Sequence, residues 1–108
     1  MGLASLIPGE GPGLFRLEGD LDISTVEAVG HQLEGALRQN EGLTLDLDGL
    51  TFMDSQGLQM LIHLGKQALE QRKSVRVANA PGQVKRLFDL AIPPSGIPGV
   101  EIADLGKT

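Results

Sequence analysis

The stretch Leu50-Thr51-Phe52-Met53-Asp54-Ser55-Gln56-Gly57-Leu58 sets an acid, a hydroxyl, an amide and a glycine at the point where an alternating apolar run gives way to a helical stripe. A serine at such a junction is placed to be an N-cap, its oxygen accepting from the free N–H groups of the first turn. A cap on a surface loop is also within reach of a kinase. A phosphate on Ser55 would add about −1.5 to −2 charges at neutral pH, and the partial positive charge of a helix N-terminus tolerates that load. The penalty would fall on whatever docks over the turn, because like charges brought together at an interface cost several kcal/mol and each ~1.4 kcal/mol is a tenfold loss of affinity. Gly57 would let a partner come close to the turn. Position alone leaves two readings open, a structural cap and a switch.

Other residues offer weaker chemistry. Asp20-Leu21-Asp22 and Asp46-Leu47-Asp48 each place two carboxylates on one strand face, an arrangement used by magnesium sites and phosphoryl-transfer enzymes. Such an enzyme would also need a phosphate cradle, and no glycine-rich phosphate loop follows a strand. Solvated strand-end carboxylates are the favoured reading. His31 and His63 fall on different predicted helices, and Ser55 and His63 stand eight positions apart on one helix, about 12 Å of rise, which rules out a catalytic pair. The chain has no cysteine, so it has no thiolate metal ligand, cysteine nucleophile or disulfide. Phe15, Phe52 and Phe88 read as core residues, and Lys66, Arg72, Lys73 and Arg76 as a loose basic group on a solvated face. The expectation is a protein that is not an enzyme and uses no cofactor and no metal.

The elements that must position these residues can be read in order. Leu3 to Ile7 and Leu14 to Glu18 flank the turn-rich Pro8-Gly9-Glu10-Gly11-Pro12-Gly13, which predicts a hairpin. Ser24 and Glu27 have capping-box spacing ahead of Val26, Val29, Leu33 and Leu37, so a first helix should run to about Gln39. Leu43-Thr44-Leu45-Asp46-Leu47 alternates like a strand with one covered face. Leu58, Leu61, Ile62, Gly65 and Leu69 lie on one stripe of a second helix from Ser55 to about Gln71. Ser74 to Ala78 is a strand. Pro81 suits the first turn of a third helix carrying Val84, Leu87, Phe88 and Ala91, which Pro93-Pro94 ends. Val100 to Ala103 is a last strand. Strands alternating with helices call for an α/β fold, here a single domain over residues 1–108 with a mixed, mainly parallel sheet of about five strands, an N-terminal hairpin and at least three helices.

Bulk properties narrow the class. One domain suits 108 residues, and 41% hydrophobic with 21% charged residues is ordinary globular usage. Nine basic residues against fourteen acidic ones, scattered along the chain, disfavour nucleic acid as a partner. No apolar run approaches membrane-spanning length and no leader pattern opens the chain, so a cytoplasmic protein without direct membrane insertion is expected.

Several stretches together resemble the STAS domain, the sulphate transporter and anti-sigma factor antagonist family. Leu17-Glu18-Gly19-Asp20-Leu21-Asp22 is similar to the segment before the family's first helix, and Leu45-Asp46-Leu47 to its central strand. Phe52-Met53-Asp54-Ser55-Gln56-Gly57-Leu58 resembles its signature turn, and Val84-Lys85-Arg86-Leu87-Phe88-Asp89-Leu90 its third helix. In phosphorylated bacterial members the acceptor serine directly follows the aspartate of that turn, so the resemblance implies Ser55 as phosphoacceptor and Asp54 as the residue fixing the turn. Many relatives carry serine or threonine where this chain has Gln56. The implied mechanism is a partner switch: the unmodified protein binds an anti-sigma factor that is also a serine kinase, and phosphorylation ends the binding. Met53, Asp54, Gln56, Gly57 and Leu58 would shape the docking surface, with Asp20 and Asp22 at its rim. The same family implies one alternative, an unphosphorylated subunit of a membrane transport system of the lipid-handling ABC type.

Overall fold

The computed structural model describes residues 2–103. The glycine- and proline-rich connection folds as expected: β1 (Ala4–Pro8) and β2 (Leu14–Leu21) pair antiparallel in the register Ile7↔Arg16, and Gly9 N–H closes the connection on the Leu14 carbonyl at 2.7 Å. The chain then alternates α1 (Val26–Gln39), β3 (Leu43–Met53), α2 (Ser55–Glu70), β4 (Val75–Ala78), α3 (Gly82–Ala91) and β5 (Val100–Ala103). Strand order in the sheet equals chain order, β1-β2-β3-β4-β5, and every pair after the hairpin is parallel.

That order settles where the helices go. Three successive crossovers step in one direction, and right-handed connections of that kind put their helices on one face of the sheet. Burial agrees: Leu43, Leu45 and Leu47 are buried, whereas Thr44, Asp46 and Asp48 between them are at least partly exposed. From the helices, Val29, Leu33 and Leu37 of α1, Leu58, Leu61, Leu64 and Ala68 of α2, and Val84 and Phe88 of α3 close the core.

The opposite face is charged. Arg16 reaches Glu18 at 2.9 Å, Asp46 at 3.6 Å and Asp48 at 3.7 Å, and Arg76 faces Glu101 at 3.9 Å. The carboxylates of Asp46 and Asp48 therefore serve an ion-pair lattice around Arg16. Asp46 also accepts from Asn79 Nδ2 at 3.2 Å.

Three local expectations are corrected. The Ser24–Glu27 capping box does not form: α1 begins at Val26, and the Ser24 hydroxyl donates instead to Asp22 Oδ1 at 2.6 Å, a nearer and charged acceptor. The alternating strand does not stop at Leu47 but runs on to Met53, through register shifts opposite Arg16 to Asp20 that break the alternation. Phe52 is not a core residue; it lies beyond those shifts with 40% of its surface exposed.

Candidate functional site

β2 and β3 finish side by side. Asp20 is paired with Phe52 and Leu21 with Met53, and the Asp54 N–H donates to the Leu21 carbonyl at 3.1 Å. The β2–α1 loop, with Asp22, and the β3–α2 turn, with Asp54 and Ser55, therefore leave the sheet next to each other at the carboxyl ends of the strands. In open α/β sheets that edge is where binding sites collect.

The turn is built around Asp54. Its backbone is extended (φ −111°, ψ −170°), its carboxylate oxygen Oδ1 accepts from Gln56 N–H at 2.8 Å and Gly57 N–H at 3.3 Å, and its carbonyl takes the first helical bond from Leu58 N–H at 3.1 Å. Asp54 is thus the N-cap, and the expectation that Ser55 caps the helix is corrected. A carboxylate answers the helix N-terminus with a full negative charge as well as an acceptor, so it wins the position over the neighbouring hydroxyl. Ser55 becomes the first helical residue. It is exposed, and among the described residues its hydroxyl has no hydrogen-bond partner.

The remaining turn residues divide into surface and support. Gln56 is exposed beside Ser55. Met53, Gly57 and Leu58 lie underneath, Met53 and Leu58 in the core cluster. A Cβ on Gly57 would come within 2.7 Å of Met53 Cγ and 2.9 Å of the Leu21 carbonyl oxygen. The glycine therefore lets α2 seat on the strand ends, and these three buried residues support the turn from below without being part of its outer surface.

Across the edge, Asp22 accepts the Ser24 hydroxyl and, at 2.9 Å, the Ser24 N–H. The Ser24 hydroxyl bond, with help from that backbone bond, holds the Asp22 carboxyl below the usual carboxylate range. Thr25 is buried and knits the loop: its Oγ1 accepts from Asp22 N–H at 3.0 Å and donates to the Asp20 carbonyl at 2.7 Å. The Asp20 carboxylate accepts the Thr51 hydroxyl from β3. Among the described residues no lysine or arginine pairs with Asp20, Asp22 or Asp54. The edge is therefore acidic, and two apolar side chains break it, Ile23 at 75% and Phe52 at 40% exposure.

Sequence reading missed Ile23, Phe52 and Gln83 as parts of this edge. Gln83, in the first turn of α3, bonds both backbone groups of Met53 at 2.9 Å. Its thirty-residue separation leaves no local pattern that could have found it. Other candidates are placed elsewhere. His63 faces Glu34 at 3.7 Å on the α1–α2 side, and the basic group does not form one patch, because Lys73 Nζ donates to the Leu37 carbonyl at 2.7 Å while Arg76 lies on the open sheet face. Among the described residues no group of three or more acidic or histidine side chains is arranged to hold a metal ion, and no helix is long and apolar enough to cross a membrane.

Comparison with known proteins bears on the family and the fold. The family model described as "Mlab, STAS domain" matches residues 9–91. An anti-sigma F factor antagonist of Paenibacillus polymyxa is 34% identical over 80 residues, 72% of this chain and 68% of that protein. Among solved structures, the anti-sigma factor antagonist SpoIIAA in its unphosphorylated form superposes with a TM-score of 0.63 at 17% identity, over 91% of this chain and 86% of that one. The Bacillus cell fate determinant SpoIIAA in its phosphorylated form gives 0.66 at 18% identity, over 95% and 93%. An anti-sigma factor antagonist from Mycobacterium paratuberculosis gives 0.67 at 18% identity, over 82% and 77%. At these identities the solved structures speak for the fold.

Proposed function

Because this chain belongs to the STAS domain family, we propose that it acts as an anti-sigma factor antagonist whose binding is switched off by phosphorylation of Ser55. The observation that carries this reading is the exposed, unpartnered Ser55 hydroxyl directly after a cap that does not need it. The hydroxyl is open to a kinase, and modifying it removes no bond from the fold.

The unmodified edge offers a partner two exposed apolar side chains, Ile23 and Phe52, together with the carboxylates of Asp20, Asp22 and Asp54. A dianion on Ser55 adds to an edge whose Asp20, Asp22 and Asp54 carboxylates have no lysine or arginine paired with them among the described residues, while two of the free N–H groups that would stabilise it are taken by Asp54. The added charge therefore acts mainly on the partner, by repulsion and by desolvation of the phosphate at the interface. The partner this reading names is an anti-sigma factor that is also an ATP-dependent serine kinase. The name of the Paenibacillus relative supports the antagonist role.

Incubating the full chain with that kinase, ATP and magnesium should label the protein, and Ser55→Ala should abolish the label; unchanged labelling of the variant would refute the assignment. Co-purification of an ATPase and permease pair that a Ser55→Asp variant still retains would assign the chain to a transport system instead.

A further inference from the structure

β3 outruns its neighbour. Its pairing with β4 ends at Asp46↔Ala78, after which Asn79 in a left-handed conformation (φ 61°) and then Pro81 lead the chain away into α3. On the other side β2 continues alongside as far as Leu21↔Met53. In a parallel ladder the N–H and C=O of one residue point to the same side, and successive residues alternate. Asp54 N–H goes to Leu21, so both groups of Met53 point to the side β4 has vacated. Met53 is buried, and backbone groups left unpaired there would be costly.

One side chain answers both. Gln83 Oε1 accepts from Met53 N–H at 2.9 Å, and Gln83 Nε2 donates to the Met53 carbonyl at 2.9 Å. A primary amide presents the donor and acceptor of a peptide group, so Gln83 stands in for the missing strand at the residue just before the cap. Its neighbour Val84 is the one buried in the core, whereas Gln83 itself is exposed.

We propose that Gln83 is a positioning residue for the Ser55 switch: by gripping Met53 from α3 it fixes the direction in which Asp54 and Ser55 leave the sheet. The proposal rests on Ser55 being the phosphoacceptor. Gln83 acts through Met53, and it ties the turn to α3 as well as to β2, so that the hydroxyl is presented to the kinase in one orientation.

The test uses the full chain with Gln83→Met, which keeps side-chain length and loses both bonds, and Gln83→Glu, which keeps the acceptor for Met53 N–H but sets an oxygen against its carbonyl. Loss of the grip should speed hydrogen exchange at the Met53 amide about tenfold or more in Gln83→Met, and by less in Gln83→Glu, while amides of the β2–β3 ladder near Leu45 hold their protection. With a kinase that labels the wild type, kcat/KM for Ser55 should fall roughly tenfold in Gln83→Met. Wild-type exchange at Met53, or wild-type labelling of Gln83→Met, overturns the proposal. A wild-type chain that the kinase never labels overturns the phosphoacceptor reading together with it, whereas equal labelling of wild type and variant overturns the positioning role alone.

Discussion

The Asp54 carboxylate accepts the backbone N–H of Gln56 at 2.8 Å, spanning Ser55 without using it. The capping task that sequence position would give to the serine thereby falls to its neighbour. Asp54 holds the end of α2, and Ser55 is left exposed on the acidic edge formed by the ends of β2 and β3. A modification at Ser55 can then change what the edge binds without loosening the helix that carries it.

Removing the cap should therefore cost more than removing the hydroxyl. Asp54→Ala is expected to destabilise the protein by about 1 kcal/mol, within the ~0.5–2 kcal/mol typical of lost caps, and Ser55→Ala by less than about 0.5 kcal/mol. Urea unfolding midpoints check this; the reverse order would return the cap to Ser55.

Gly57→Ala sets two effects against each other. Alanine is the better helix former by ~1 kcal/mol, but its Cβ would crowd Met53 Cγ and the Leu21 carbonyl, and overpacking of this kind costs about 1–3 kcal/mol. Backbone at one of the two contacts cannot swing aside, so the unfolding midpoint should fall. A raised midpoint would mean that α2 does not seat on the strand ends.

The helices, their buried stripes and the strand sequence were legible because each repeats its signal over several residues. Leu58, Leu61 and Gly65 of the α2 stripe are buried as read, but Leu69, placed on the same stripe, is 54% exposed and Ile62 only partly buried, while Leu64 and Ala68 complete the buried face. What escaped reading depended on single-residue competition or on distance. Asp54 and Ser55 are both good caps and differ by one position, which pattern alone does not separate. Ser24 had capping spacing to Glu27, yet its hydroxyl is taken by Asp22 only two residues away. Phe52 has the same parity as Thr44, Asp46 and Asp48, so strand alternation already sets it on the face away from the core, and only its apolar type suggested burial. Gln83 and Met53 are thirty residues apart, with β4 between them in the chain, so their bond leaves no local pattern.

Asp22 predicts a pH dependence with a definite sign. Its folded carboxyl titrates lower than the unfolded one because Ser24 donates to the charged form, so its contribution to stability is present above the unfolded carboxylate range and is lost as pH falls through the lowered folded value. Ser24→Ala should move the Asp22 titration upward toward the ordinary range, followed by carboxyl NMR. An unmoved titration would mean that the Ser24 hydroxyl does not hold the carboxylate.

Ile23 should matter to binding and not to folding, since its side chain is mostly in water. Ile23→Ser is expected to weaken the complex with the anti-sigma partner by roughly tenfold to a hundredfold, the usual worth of an aliphatic side chain buried at an interface, and to leave the unfolding midpoint within about 0.5 kcal/mol of wild type. Calorimetric titration against the partner, paired with urea unfolding, reads both.

The most direct measurement is the affinity of the full chain for its anti-sigma partner before and after stoichiometric phosphorylation at Ser55, with circular dichroism recorded on both forms. A loss of affinity of about a hundredfold or more, with superimposable spectra, is the result predicted from charge added to an acidic edge on an intact scaffold. Equal affinity of the two forms, or a phosphorylated form that has lost its helical signal, would contradict it.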